Sequence, residues 1–473
     1  MPVLNRRWLL PLAWLLVTLS GCSPESLVGD GELPAGVEDP QNTQTRDGAL
    51  RAYVAALIAS RNAAAGPSGS MAVVSGLLAD EMTSLEVFLP WLVTQDRRVL
   101  PEYTIPETEE RAITPFGSYI ETYILLQGAR GKAQVGVTLL RAYAPGESPA
   151  LTAHLQAAEA YDDIYLADLF CSGIPLSTVD AEGSTMKPGS STTEVYQAAI
   201  ELLDSALAGS GDSIRIHHFA SIGKARALLA LGQYGEAAAA VAGVPDGYEY
   251  TLMFDATTTG QNGATNRDNA NYMWGLYSNG FSGGPGMSDH EGMNGLDWMS
   301  SGDPRTEGVT VGSDFSGHPL YIPARLSPEG GSPITIADWR EARLIEAEAA
   351  LQGGDATTWL AKLNALRDGV EFPPAADDPT GTPRTLPPLT DPGSFDARVN
   401  LLFRERAFWF NLTGRRLGDL RRLVRVYGRD PSTVYPIGSH PAGGAYGSDV
   451  AAPVPARERR YNPLYTGCQN RGA

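Results

Sequence analysis

Three cysteines, six histidines and 36 basic residues in a chain of 473 are all low counts, and each removes a class of function. None of the histidines, at 154, 217, 218, 290, 318 and 440, forms an H-E-x-x-H pair, and no Cys/His group has zinc spacing. A metalloenzyme is therefore unsupported and no metal is expected. Neither G-x-x-x-x-G-K nor G-x-G-x-x-G occurs, so phosphate-cradling loops are missing and no nucleotide cofactor is expected. Basic residues are outnumbered by 54 acidic ones, for a formal charge of −18. Such a surface repels phosphate backbones and anionic headgroups, which excludes nucleic acid and a polybasic membrane patch as partners. No apolar run approaches the ~18 residues that would span a bilayer.

The remaining composition is globular, at 43% hydrophobic and 19% charged. Gly and Pro, 52 and 34, make up about 18% of the chain against an average near 12%, so loops are abundant. At this length two domains, or one domain with large insertions, are expected.

The first segment speaks for compartment. Arg6 and Arg7 precede an apolar run from Trp8 to Leu19, then Ser20, Gly21 and Cys22. Twelve residues at ~1.5 Å rise cannot cross a ~30 Å hydrocarbon core, whereas a basic start, short apolar stretch and small residues describe a secretory signal. The Leu-Ser-Gly-Cys ending resembles a bacterial lipobox, in which Cys22 is acylated and becomes the mature N-terminus. Residues 1–21 are thus expected to be a lipoprotein signal peptide and residues 22–45 a lipid-anchored tether. The expected home is the outer membrane, lipid-anchored and facing the cell surface. Of the other cysteines, Cys171 and Cys468 form an even pair in an exported chain, and a disulfide between them is expected; two buried thiols are the alternative.

The body, 46–473, reads as mostly α. Ser191 with Glu194 is a capping-box pattern ahead of Val195, Ala199, Leu202 and Ala206, and Asp338 with Glu341 repeats it ahead of Ala342, Ile345 and Ala349. Leu417, Leu420, Val424 and Tyr427 follow helical spacing, with Arg416, Asp419, Arg422 and Arg425 on the remaining arc. Two joints resemble the tetratricopeptide turn, where a Gly ends one helix and a small Ala admits the next: Gly232 to Ala237, and Gly353-Gly354-Asp355. The expected organisation is a helical-pair scaffold at 46–245 and 336–427, a loop-rich insertion at 246–335, a Pro-rich excursion at 371–395 and a C-terminal tail at 428–473. Long excursions on a rigid scaffold are where binding residues tend to sit.

Chemical motifs are weak. Gly280-Phe281-Ser282-Gly283-Gly284 matches the hydrolase elbow G-x-S-x-G, but Pro285-Gly286 follows where a helix is required. Asp289-His290-Glu291 is dense in ligand atoms, yet neighbours in extended chain point apart, and a solvated loop is the plainer reading. No catalytic residue is assigned. The insertion is instead rich in rings: Tyr272, Trp274, Tyr277, Phe281, Trp298 and Tyr321 lie among asparagines and acids. Such rings can stack on a sugar or peptide while the carboxamides bind its rim; otherwise they pin the loop.

Four stretches resemble the SusD/RagB family of nutrient-binding outer-membrane lipoproteins. They are the lipobox Cys22; Ala160-Tyr161 through Gly173-Ile174-Pro175-Leu176; Arg404-Glu405-Arg406 on to Gly414-Arg415-Arg416 and Asp419-Leu420-Arg421-Arg422; and Pro453-Val454-Pro455 with Glu458, Asn462-Pro463 and Gln469-Asn470. The resemblance implies a non-catalytic protein that captures a glycan, or a peptide, for a SusC-type TonB-dependent outer-membrane transporter. The third stretch reads as structural, with Glu405, Arg415, Arg416 and Asp419 able to form ion pairs that fix a kink at Gly414. The competing readings are a tetratricopeptide-type assembly scaffold and, behind it, a lipid-anchored hydrolase.

Overall fold

The computed structural model describes residues 43–67, 69–86, 89–100, 117–180, 183–255, 269–273, 284–326 and 331–473. Cys22, the signal segment and Ser282 lie outside them. The described residues carry thirteen α-helices: α1 Arg46–Ala65, α2 Met71–Leu78, α3 Pro90–Asp96, α4 Tyr119–Tyr143, α5 Ser148–Leu169, α6 Thr192–Gly209, α7 Ile214–Ala230, α8 Tyr234–Val241, α9 Trp339–Gln352, α10 Ala356–Ala365, α11 Phe395–Trp409, α12 Arg416–Arg425 and α13 Ala456–Tyr461. Strands are short and pair only as two-stranded antiparallel ribbons. The mostly α reading is correct.

Helix starts follow local chemistry. Ser191 and Glu194 form the full capping box of α6, each side chain bonded to the other's backbone. Asp338 caps α9 by accepting the Glu341 N–H at 2.9 Å, but the Glu341 carboxylate does not return the bond; it turns to Arg226 and Arg415.

The helices pack in series, α1 on α4, α4 on α5, α5 on α6, α6 on α7, α7 on α8, α8 on α9 and α9 on α10. At the α7–α8 joint Gly232 has φ +75°, the left-handed conformation that favours glycine, and Ala237 is fully buried where the two helices meet. Between α8 and α9 lies the whole insertion. Its two ends are stitched together, because Glu249–Leu252 pairs antiparallel with Ile334–Asp338. The chain therefore leaves and re-enters the array at one place, and the helical stack continues across the excursion.

The second and fourth family-like stretches dock on each other. Cys171 N–H donates to Ala452 O at 2.8 Å, Ala452 N–H to Leu169 O at 2.8 Å, and Ser172 N–H to Asn470 O at 2.9 Å. Cys171 and Cys468 are disulfide-bonded with Cα atoms 5.8 Å apart, closing a separation of 297 residues.

The third stretch corrects its sequence reading. Arg416, Asp419 and Arg422 are buried, each no more than 6% exposed. Glu405, Arg415, Arg416 and Asp419 do form ion pairs, but not with one another. Arg416 grips Asp80 in a bidentate pair at 2.7 and 3.0 Å, linking α12 to the end of α2. Arg415 reaches Glu341 at 3.0 Å on α9. Glu405 takes Arg305 and Arg367. Asp419 takes Arg406 and Arg422, while Arg422 also bonds Glu348. The network therefore joins distant elements rather than bracing a local kink. Burial alone would push the Asp419 carboxyl up; the two guanidiniums outweigh it and hold the group down at about 2.

Candidate ligand-binding site

The turn after α11 is held from several sides. Leu412, at φ +55°, donates its N–H to Glu81 Oε1 at 2.6 Å and its carbonyl accepts the Tyr272 hydroxyl. Asn411 O accepts from Arg325, and Gly414 O accepts the Ser75 hydroxyl at 3.1 Å. Gly414 itself has φ +80°, and a Cβ there would run into Met71 Sδ, so no other residue fits this turn without displacement.

Beside this clamped turn opens a cavity of about 220 Å³. Its aromatic lining is Phe408 and Trp409 at the end of α11, Phe410 just after it, and Phe372. Its polar wall is Arg305, Arg325, Arg340 and Arg415, with Glu249, Asp338 and Thr413. The cations lie on the rings. Arg305 stands 4.9 Å from the Trp409 centroid, Arg340 5.5 Å from it and 5.0 Å from Trp339, and Arg415 4.2 Å from Phe410. The Trp409 indole N–H is buried and has no hydrogen-bond partner, and neither does Arg415 Nε. Buried donors without partners are uncommon, and here both are on residues that line a cavity.

The rings named from sequence are distributed differently. Tyr272 and Trp298 are fully enclosed in the core. Their polar atoms are spent on backbone, Tyr272 on Leu412 O and Trp298 Nε1 on Asp80 O. They pin the insertion to the scaffold and cannot touch a ligand, which corrects their assignment. Trp274, Tyr277 and Phe281 lie outside the described residues. Tyr321 is half-buried on the strand Pro319–Pro323, opposite Thr310, and does not line the cavity.

The pocket residues that sequence reading missed come from four segments: Arg305, Arg325, Arg340 and Trp409. No spacing joins these positions, because the strand pairing at the base of the insertion and the turn after α11 bring them together. The one available signal was an Arg beside a Trp at the start of a capped helix.

One further cluster was tested as a metal centre. Asp96, Glu291 and His440 are all buried, with ligand atoms mutually within 4.8 Å. Glu291 is therefore not in a solvated loop, which corrects the reading of Asp289-His290-Glu291; His290 is the exposed member. His440 Nδ1 accepts the Ala442 N–H at 3.0 Å, which leaves the proton on Nε2, donated to Asp96 Oδ2 at 2.8 Å. An Nε2 that carries a proton is not a metal ligand. Burial, with Asp96 beside it, pushes the Glu291 carboxyl well up.

No family model and no curated protein matches the sequence. Solved structures do match in shape. A SusD superfamily protein from Bacteroides vulgatus ATCC 8482 superposes with a TM-score of 0.61 at 14% identity, over 90% of this chain and 98% of its own. A laminarin binding SusD-like protein gives 0.59 at 15% identity, over 90% and 99%. A SusD/RagB family protein from Bacteroides thetaiotaomicron VPI-5482 gives 0.58 at 12% identity, over 87% and 94%. The chain has the SusD-like fold.

Proposed function

We propose that this SusD-like chain is a nutrient-binding lipoprotein of the outer membrane, held by Cys22, that captures a glycan and passes it to a SusC-type TonB-dependent transporter without chemistry of its own. The observation that carries the reading is the near end-to-end agreement with SusD-like structures, 90% of this chain and 98% of the other. One of the proteins of like fold binds laminarin. The cavity beside Trp409 supplies what sugar recognition needs, namely ring faces for the apolar side of a pyranose and fixed polar groups for its hydroxyls. At about 220 Å³ it is smaller than the roughly 300–1,000 Å³ of pockets that enclose drug-sized molecules, so it suits one residue of a longer chain.

The role assigned to each group follows from its surroundings. Trp409 is the stacking platform. Arg305 is fully committed to Asp303 and Glu405 and fixes that platform from beneath. Arg340, tied by one nitrogen to Glu249, keeps donors for the ligand. A glycan array probed with the full chain is expected to give saturable binding to a small set of oligosaccharides, weakened by Trp409→Ala. Uniformly empty arrays, with a properly folded protein, would remove the reading in favour of a helical scaffold for protein assembly.

A further inference from the structure

The unspent hydrogen-bonding capacity around the cavity is overwhelmingly of one kind. Arg325 is exposed, feels the charge of Glu81 without hydrogen-bonding to it, and among the described residues makes a single hydrogen bond, through Nη2 to Asn411 O. Among the described residues Arg340 uses only Nη1, toward Glu249 and Asp338, and Nε and Nη2 have no hydrogen-bond partner. Arg415, 6% exposed, keeps an unpaired Nε. The Trp409 indole N–H is also unpaired. All four are donors. The acceptors in the wall are already engaged: Glu249 and Asp338 both face Arg340, Asp338 also caps α9, and Thr413 Oγ1 receives Arg415.

A neutral sugar hydroxyl both donates and accepts, so it would leave part of this donor set unanswered. An oxyanion brings only acceptors, and charge-assisted bonds to guanidinium are about twice as strong as neutral ones. The setting sharpens the contrast, since these three arginines converge in a chain whose formal charge is −18. Resting on the glycan-binding reading above, we propose that the Trp409 cavity selects an acidic sugar, a pyranose carrying a carboxylate or sulfate, with Arg325 and Arg340 on the oxyanion and the Trp409 ring under the sugar face.

The test is titration calorimetry on the full chain with two anionic probes, a galacturonate oligosaccharide and a sulfated galactan oligosaccharide. Each is run against a neutral counterpart, the methyl-esterified and the desulfated form. The expected result is that one anionic probe binds at least about tenfold more tightly than its neutral form. Which probe does so identifies the oxyanion. Arg325→Gln, which keeps a donor for Asn411 O, is expected to erase that preference, with a melting temperature equal to the parent's showing that the fold is intact. Trp409→Phe, which keeps a ring and removes the N–H, should cost the anionic probe more than the neutral one. Equal binding of charged and neutral forms, unaltered by Arg325→Gln, overturns the acidic-sugar inference and leaves glycan capture standing. Binding of no probe, and of nothing on the array, overturns both.

Discussion

Replacing Asp419 with Asn tests whether the charge network is what locks the helices together. Asp419 is 6% exposed and receives three charge-assisted bonds, from Arg406 Nε at 2.9 Å, Arg406 Nη2 at 3.0 Å and Arg422 Nη2 at 2.9 Å. Asn preserves the shape but leaves Arg406 without a countercharge and Arg422 with Glu348 alone. Removing one partner of a buried pair costs about 3–5 kcal/mol. A body of roughly 430 residues, at ~2.1 cal/mol/K each, unfolds with ~0.9 kcal/mol/K, so the expected fall in melting temperature is about 3–6 °C. A pH signature accompanies it. The Asp419 carboxyl sits at about 2 against an ordinary 3.8, a depressed value, so its stabilisation is complete above pH ~4 and is lost as pH falls through 2. That amounts to roughly 2–3 kcal/mol across the window. Thermal melts followed by circular dichroism between pH 2 and 7 read both effects. Asp391→Asn, which breaks the exposed pair with Arg398, serves as the control and should not move the melt. An Asp419→Asn chain that melts within about 1 °C of the parent, with the same acid slope, refutes the reasoning.

Alkali should weaken the fold from the opposite side. Burial lifts Glu81 to about 8 and also raises Glu159 and Glu291. Each binds its proton more tightly folded than unfolded, so stability is fullest below pH ~4.5 for these groups and falls as pH rises through their folded values. Denaturant midpoints should drop from pH 5 to pH 9, and Glu81→Gln should flatten part of that drop; an unchanged slope in the variant counts against it. Gly414→Ala should destabilise by more than the ~1 kcal/mol of an ordinary Gly site, because φ is +80° and Met71 Sδ occupies the Cβ position; an equal urea midpoint would contradict this. Opening the Cys171–Cys468 bond by double Ser substitution should cost about 2–5 kcal/mol and make the segment after Ala456 the first to be cut by protease. Alkylation of both cysteines in the unreduced, denatured chain would show that the bond is not there.

Local chemistry was legible where it depends on neighbours in sequence. The Ser191–Glu194 box and the glycine joints at 232 and 354 follow from two- to six-residue patterns and are found in place. The Cys171–Cys468 pair followed from compartment and parity. What failed was the choice of partner for the buried charges and the facing of two aromatic rings. Ion pairs were legible at Glu405, Arg415, Arg416 and Asp419, but nothing local announces that Asp80, Glu341, Arg305 and Arg406 are the groups they meet. Tyr272 and Trp298 looked like ligand platforms in a loop-rich insertion; their hydrogen bonds to Leu412 and Asp80 make them anchors. The pocket went unseen because Arg305, Arg325, Arg340 and Trp409 meet only once Glu249–Leu252 pairs with Ile334–Asp338.

Gentle detergent extraction of the native full-length protein from its own membranes, followed by affinity capture and mass spectrometry, tests the account's central claim most directly. The predicted result is a lipid-modified chain beginning at Cys22, recovered in stoichiometric complex with a TonB-dependent β-barrel. A chain without acyl groups, recovered with no barrel under conditions that preserve other outer-membrane complexes, would contradict it.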